Sequence, residues 1–197
     1  NMRPIQSVGL NSVSPFAPVK GSPDRVIRTV VGFRPFRASG FVIRTEKIGD
    51  KLVVHNYGHG GGGISLSWGT ATLAVEKVPQ SAESAVAVIG CGVIGLSTAR
   101  LMQRKGFQVT IYAKDLPPET TSNVAGALWD PVSVYEEGKV GSEFLNLFTQ
   151  ASKISHHIFQ DFVGDKYGVW WIRNYLLGFA FDFPAGKELY PGFREHR

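Results

Sequence analysis

Residues Gly90-Cys91-Gly92-Val93-Ile94-Gly95 set three glycines at the spacing by which a strand turns into a helix around a phosphate. A lone motif of this kind arises by chance, so its surroundings decide. An apolar run, Ala85 to Ile89, precedes it, a helix-like stretch reaches about Lys105, and Gly106 stands where a helix ends. Val109 to Ala113 then reads as a second strand, and the spacing predicts a βαβ unit of about 30 residues. In such a unit Gly90 permits the tight turn, Gly92 lets the backbone approach a pyrophosphate, and Gly95 lets helix and strand pack closely. The helix start, with Val93 and Ile94, offers free N–H groups and partial positive charge to phosphates. These residues predict a dinucleotide site but do not separate FAD from NAD(P). At the end of the second strand Lys114 holds the place where an acidic ribose ligand usually stands, and Asp115 follows it. Cys91 reads as a small packing residue rather than a redox centre.

A second glycine loop lies upstream, in His55-Asn56-Tyr57-Gly58-His59-Gly60-Gly61-Gly62-Gly63-Ile64-Ser65. A strand, a glycine loop and a helix start make another N-terminus receptive to anions; from composition alone, plain flexibility of a polyglycine stretch is the competing reading. The helix should run from about Ile64 to Glu76, with Leu66, Ala71, Leu73 and Ala74 as apolar positions.

The elements that must position these turns follow from periodicity. Residues 1–24 are rich in Pro, Ser and Asn and read as an extended arm. Three β-like runs come next, Val26 to Val31, Phe41 to Glu46 and Leu52 to His55, the last two joined by Gly49-Asp50 as a hairpin. Residues 79–84 read as a polar linker between the two glycine-bearing halves. A long amphipathic helix is expected from about Ser142 to Phe162, its buried face marked by Phe144, Phe148, Ala151, Ile154, Ile158 and Phe162. Tyr167 to Arg197 reads as strands and loops around a pocket.

The 197 residues are 43% hydrophobic, enough for a core without staples, and the single cysteine excludes an internal disulfide. A net charge of +5 without basic blocks or interleaved aromatics argues against nucleic acid and suits small anionic ligands. No apolar run approaches the ~20 residues that span a bilayer. No cleavable leader is visible, although a chain beginning Asn1-Met2 is compatible with one already lost. No metal site is expected: His156-His157 lack a third ligand, and the pair reads as solvated or packed.

Read with its continuation into Trp68-Gly69-Thr70-Ala71, the stretch from Val53 to Ser65 resembles the signature of the D-amino-acid oxidase family of FAD-dependent oxidoreductases. Gly32-Phe33-Arg34-Pro35, Thr120-Thr121-Ser122 and Asn123 to Pro131 are similar to the same family. The resemblance implies FAD as cofactor and an α/β fold. A Rossmann-like FAD-binding domain would cover residues 25–165, and the start of an α+β substrate domain residues 166–197. It implies that Gly60 to Ser65 lie along the flavin, with the positions of Gly61, Gly63 and Ser65 facing the ring's pyrimidine edge. Thr120, Thr121 and Ser122 would contact the pyrophosphate, and Gly126, Ala127 and Leu128 would line the flavin's reactive edge. Arg34 would hold a substrate carboxylate, whereas Arg37 reads as a surface arginine. One departure bears on backbone geometry: the family pattern tends to Ala-Gly-Leu-Trp, and this chain has Gly126-Ala127-Leu128-Trp129.

The order of segments also departs. In the familiar members the Gly-x-Gly-x-x-Gly strand opens the chain and the His-Asn-Tyr-Gly segment closes it; here the closing segment comes first, which looks like the circular permutation of related bacterial sequences. Much of the substrate domain is absent, so the resemblance implies that a second chain or fragment supplies the rest, or that it is lost from this chain by cleavage or disorder. The implied activity is oxidation of a D-amino acid or related amine to an imine, with O2 reduced to hydrogen peroxide. A dehydrogenase using another acceptor and a non-catalytic nucleotide-binding or assembly subunit are the alternatives. A soluble protein is expected, either cytoplasmic or exported to a bacterial periplasm.

Overall fold

The computed structural model describes residues 20–79, 84–174 and 186–190. The chain divides into two units, Asn1–Val31 and Gly32–Arg197. In the first, the described residues form one 3-10 turn, Pro23–Arg25, and otherwise run without regular structure. The strand expected at Val26 to Val31 is not there. Val26 and Ile27 are 65% and 98% exposed, and β propensity without a partner's N–H and C=O groups does not make a strand.

The second unit opens with the expected hairpin. Strands β1 (Val42–Ile48) and β2 (Lys51–Tyr57) pair antiparallel from Val42↔Tyr57 to Ile48↔Lys51, around a two-residue turn whose Gly49 has φ +60°. The Glu46 carboxylate gathers Arg44 at 3.0 Å and His55 Nε2 at 2.8 Å on one face of the hairpin. The hydrogen bond from His55 and the charge of Arg44 hold Glu46 below the usual carboxylate range.

Helix α1 (Gly63–Glu76) follows, and then the predicted βαβ unit: β3 (Ala85–Ile89), α2 (Val93–Arg104) and β4 (Gln108–Tyr112). The strands pair in parallel from Ala85↔Gln108 to Ile89↔Tyr112, and Gly106, at φ +91°, ends the crossover helix as expected. Among the described residues the hairpin and this pair remain separate two-stranded sheets. Ile89 and Tyr112, at 89% and 61%, are exposed.

Helix α3 (Ser142–Gln160) ends two residues before the expected Phe162. Phe148 and Ala151 are buried where the period places them, but so are Ser152 and Ser155. These serines went unmarked because they are polar. The close approach of α3 to α1 explains the small residues nearby: a Cβ on Gly69 would collide with the backbone of Ala151. Helix α1 also packs on α2, where Ser97 Oγ lies 3.2 Å from Ser67 O. With helices on two sides, α1 buries Ser65, Ser67 and Thr70 as well as Leu66, Ala71 and Leu73.

The core joins Phe41, Leu66, Leu73, Val134, Phe148, Ala151 and Leu189, with Trp129, Phe144 and Tyr190 packed against it. Each fully buried large side chain contributes about 1.5–3 kcal/mol relative to exposure. Residues 80–83, most of the expected linker, lie outside the described residues, as does most of 166–197 beyond Asn174. The segment Gly186–Tyr190 returns to α3, where Glu188 meets Lys153 at 2.9 Å.

Candidate functional site

The Gly90–Gly95 turn has the local geometry its spacing requires. Gly90 adopts φ +105°, closed to most side chains, while its N–H extends the β-ladder to Tyr112 O at 2.8 Å. A Cβ on Gly95 would collide with Gly90 O, so only glycine lets α2 start this close to the strand end. Among the described residues, none beyond its chain neighbours comes within 4 Å of where a Cβ on Gly90 would sit, which leaves the backbone open to a ligand. The first helical N–H, that of Val93, donates to Ser122 Oγ at 2.9 Å. Ser122 thus sits at the start of α2, beside the glycine turn. Thr120 is buried and donates to Asn123 Oδ1 at 2.8 Å, and Thr121 is exposed.

The second glycine loop is built differently. The N–H groups of Gly60, Gly61 and Gly62 go to Pro35 O (3.2 Å), Ser133 O (2.8 Å) and His59 O (3.0 Å). A Cβ on Gly60 would strike Ser133 O, and one on Gly61 would lie 3.0 Å from Val132 O. These glycines therefore admit the backbone of residues 132–134. The helix proper starts at Gly63, so the positive end of α1 comprises Gly63, Ile64 and Ser65. Ser65 is 2% exposed; its hydroxyl accepts from Asp130 N at 3.0 Å and points to Leu128 O at 3.4 Å.

His59, at the head of the loop, is also buried. Thr70 gives its single hydroxyl proton to Leu66 O (3.1 Å), so it accepts from His59 Nε2–H at 3.0 Å. The ring stacks on Phe41 with centroids 5.3 Å apart. Burial pushes the imidazole down to about 4, which keeps it neutral. His55 is taken up by Glu46, and His156 lies edge-on to Trp129 at 4.6 Å. Among the described residues no three His, Cys, Asp or Glu side chains group as metal ligands, and no helix is long and apolar enough to cross a membrane.

The connecting loop 126–134 carries the geometry flagged by Gly126-Ala127. Gly126 takes no positive φ, whereas Ala127 does, at +55°, and Ser133 repeats the value. Left-handed backbone costs a Cβ-bearing residue about 1–2 kcal/mol. Trp129 Nε1 is buried with no hydrogen-bond partner among the described residues. Asp130 is half-buried and accepts from Tyr190 Oη at 3.0 Å; burial pushes its carboxyl up, against the lowering effect of that bond. Burial and the Asp130 charge raise the Tyr190 hydroxyl well above the usual phenol range. Neither residue was singled out from sequence. The pair is 60 positions apart, and no local pattern joins them.

Arg34 is exposed, has no ion-pair partner among the described residues, and sets Nη1 3.2 Å from the Cβ position of Gly61. Two residues before it, Gly32 packs against Thr121 and Val124. Arg37 instead lies over the Tyr57 ring, at 5.6 Å, and donates to Gly40 O at 3.2 Å, a structural role. Gly126, Leu128, Lys114 and Asp115 are exposed, the last two without a hydrogen bond to any described residue.

Four separated stretches therefore meet. One loop touches the N-terminus of α2 through Ser122 and that of α1 through Asp130, and eight residues reach at most ~28 Å. The segment Gly32 to Arg34 packs on both glycine-loop neighbourhoods. The residues present fit a dinucleotide: an open glycine backbone and two helix starts in one neighbourhood accept phosphates and a polar ring edge.

Comparison with known proteins agrees. Residues 85–183 match the family model described as DAO, FAD dependent oxidoreductase. A D-amino-acid oxidase of Rubrobacter xylanophilus is 47% identical over 53 residues, 27% of this chain and 16% of that protein. A D-amino-acid oxidase of Dictyostelium discoideum is 59% identical over 46 residues, 22% and 13% of the two chains. Human D-aspartate oxidase is 50% identical over 58 residues, 27% and 17%. Each match spans about a sixth of the relative's length or less. No solved structure matches significantly. With half of its length on the family model, the chain belongs to the DAO family of FAD-dependent oxidoreductases.

Proposed function

We propose that this chain forms the flavin-binding part of an oxidase that converts a D-amino acid, or a related amine, to the imine. The reading rests on one observation above the others: a single loop ties together the N-termini of α1 and α2. FAD would lie with its pyrophosphate at Gly90, Gly92, Val93, Ile94 and Gly95, beneath Thr120, Thr121 and Ser122. Its ring would lie along Gly60 to Ser65 and Gly126 to Leu128, and Lys114 or Asp115 would reach the ribose. When bound there, the flavin would supply the redox chemistry, that of accepting hydride from an amine's α-carbon and of reduction of O2 to hydrogen peroxide.

The chain's own residues bind and orient. Arg34, exposed and without an ion-pair partner among the described residues, would grip the substrate carboxylate by a two-pronged contact that lysine cannot copy. The positive end of α1 would favour negative charge on the ring's pyrimidine edge. Because the segment with α1 precedes the βαβ unit and packs against it, we also infer a circularly permuted arrangement. Exposed Ile89 and Tyr112 suit further polypeptide, from the same chain or another, covering the parallel strands and closing the substrate pocket.

The test is spectroscopic. The intact protein should purify yellow or take up FAD, bleach on anaerobic addition of a D-amino acid, and release peroxide when oxygen returns. Bleaching without peroxide would indicate another acceptor. Protein that stays colourless and cannot be reconstituted with FAD refutes the proposal.

A further inference from the structure

We propose that the Tyr190–Asp130 hydrogen bond is a latch that holds a strained loop against the N-terminus of α1 and the glycine loop before it, which makes Tyr190 a positioning residue for the cofactor site. This rests on the flavin reading above. The loop between Ala127 and Ser133 is bounded by two Cβ-bearing residues in left-handed backbone, so it favours another shape unless its contacts hold it. Beside the burial of Pro131 and the packing of Trp129 on the core, three hydrogen bonds hold it. Ser65 Oγ takes the Asp130 N–H, Ser133 O takes the Gly61 N–H, and Tyr190 Oη donates to the Asp130 carboxylate at 3.0 Å. The first two bonds tie the loop to α1 and to the glycine loop. The third comes from outside the site, from a segment itself anchored by buried Leu189 and by the Glu188–Lys153 ion pair. Trp129 is wedged beside it, its ring 6.0 Å from that of Tyr190. Tyr190 therefore carries packing in the core to the loop lining the flavin's expected edge.

Native-state hydrogen exchange on the intact protein tests this with Tyr190→Phe, Ala127→Gly and the double variant. Removing a hydrogen bond to a charged group should speed exchange at the Asp130 and Gly61 amides roughly tenfold or more. The amides of Leu66 and Phe148, in α1 and α3, should be unaffected. Adding Ala127→Gly relieves the strain that the latch opposes, so the double variant should return towards wild-type exchange. FAD affinity should follow the same order, weakened in Tyr190→Phe and regained in the double variant. Unchanged exchange at Asp130 and Gly61, or equal acceleration at Leu66 and Phe148, overturns the latch. If the exchange pattern holds but wild-type protein takes up no FAD, the latch survives and the flavin reading, with Tyr190's part in it, falls.

Discussion

Acidification should unlock the second glycine loop through His59. The imidazole is 2% exposed, donates to Thr70 and stacks on Phe41, and burial depresses it from 6.5 to about 4. Between those two values the unfolded chain takes up a proton that the native state refuses. Stability is therefore complete above about pH 6.5 and falls as the pH drops, by about 1.4 kcal/mol per pH unit. By about pH 4 the loss amounts to about 3 kcal/mol, a large fraction of the 5–15 kcal/mol that holds a typical domain together. The assay is urea unfolding from about pH 4.5 to 8 in wild type and in His59→Gln, which keeps a donor for Thr70 but does not titrate. Other groups titrate in this range; burial depresses His156 too, and Asp130, raised by burial, biases the opposite way. Taking the difference between the two proteins removes these contributions. The wild-type advantage should be flat above about pH 6.5 and shrink by most of 3 kcal/mol towards pH 4. Parallel pH profiles for the two proteins would refute the reasoning, since they would mean that the buried ring does not couple to folding.

Other substitutions test the packing and the site. Gly69→Ala should destabilise by about 1–3 kcal/mol in urea unfolding, because its Cβ would collide with the Ala151 backbone; the helix-propensity gain of about 1 kcal/mol is too small to reverse this. Gly95→Ala, whose Cβ would collide with Gly90 O, should weaken FAD binding at least tenfold in a fluorescence titration, as about 1.4 kcal/mol of displacement cost implies. Arg34→Ala should lower kcat/KM for an amino-acid substrate at least tenfold, from the ~2–5 kcal/mol lost when one partner of such a pair is truncated. Wild-type kinetics in Arg34→Ala would remove Arg34 from the substrate site.

The βαβ unit and the β1–β2 hairpin were legible from sequence because their signals are local. A five-residue apolar strand, glycines at fixed spacing, Gly106 after a helix and Gly49-Asp50 between alternating runs each constrain backbone within a few residues. Val26 to Val31 shows the limit of such signals: its residues suit a strand, but pairing requires a neighbour that sequence cannot show. The buried serines of α3 were missed for a related reason, since the nearness of α1, not their polarity, puts them inside.

The amino-acid sequence alone determined that this chain carries two glycine-bearing helix starts, a Gly126-Ala127 order that departs from the family pattern, and an arginine beside Pro35. Tertiary structure decided which of those groups are spent. It gives the N–H groups of Gly60, Gly61 and Gly62 to the carbonyls of Pro35, Ser133 and His59, leaves Gly90 open, and brings Tyr190 across 60 positions to Asp130. The reason is physical. A residue's backbone preference is set by its own atoms and immediate neighbours, whereas a donor's partner is whichever acceptor the packing of distant helices delivers.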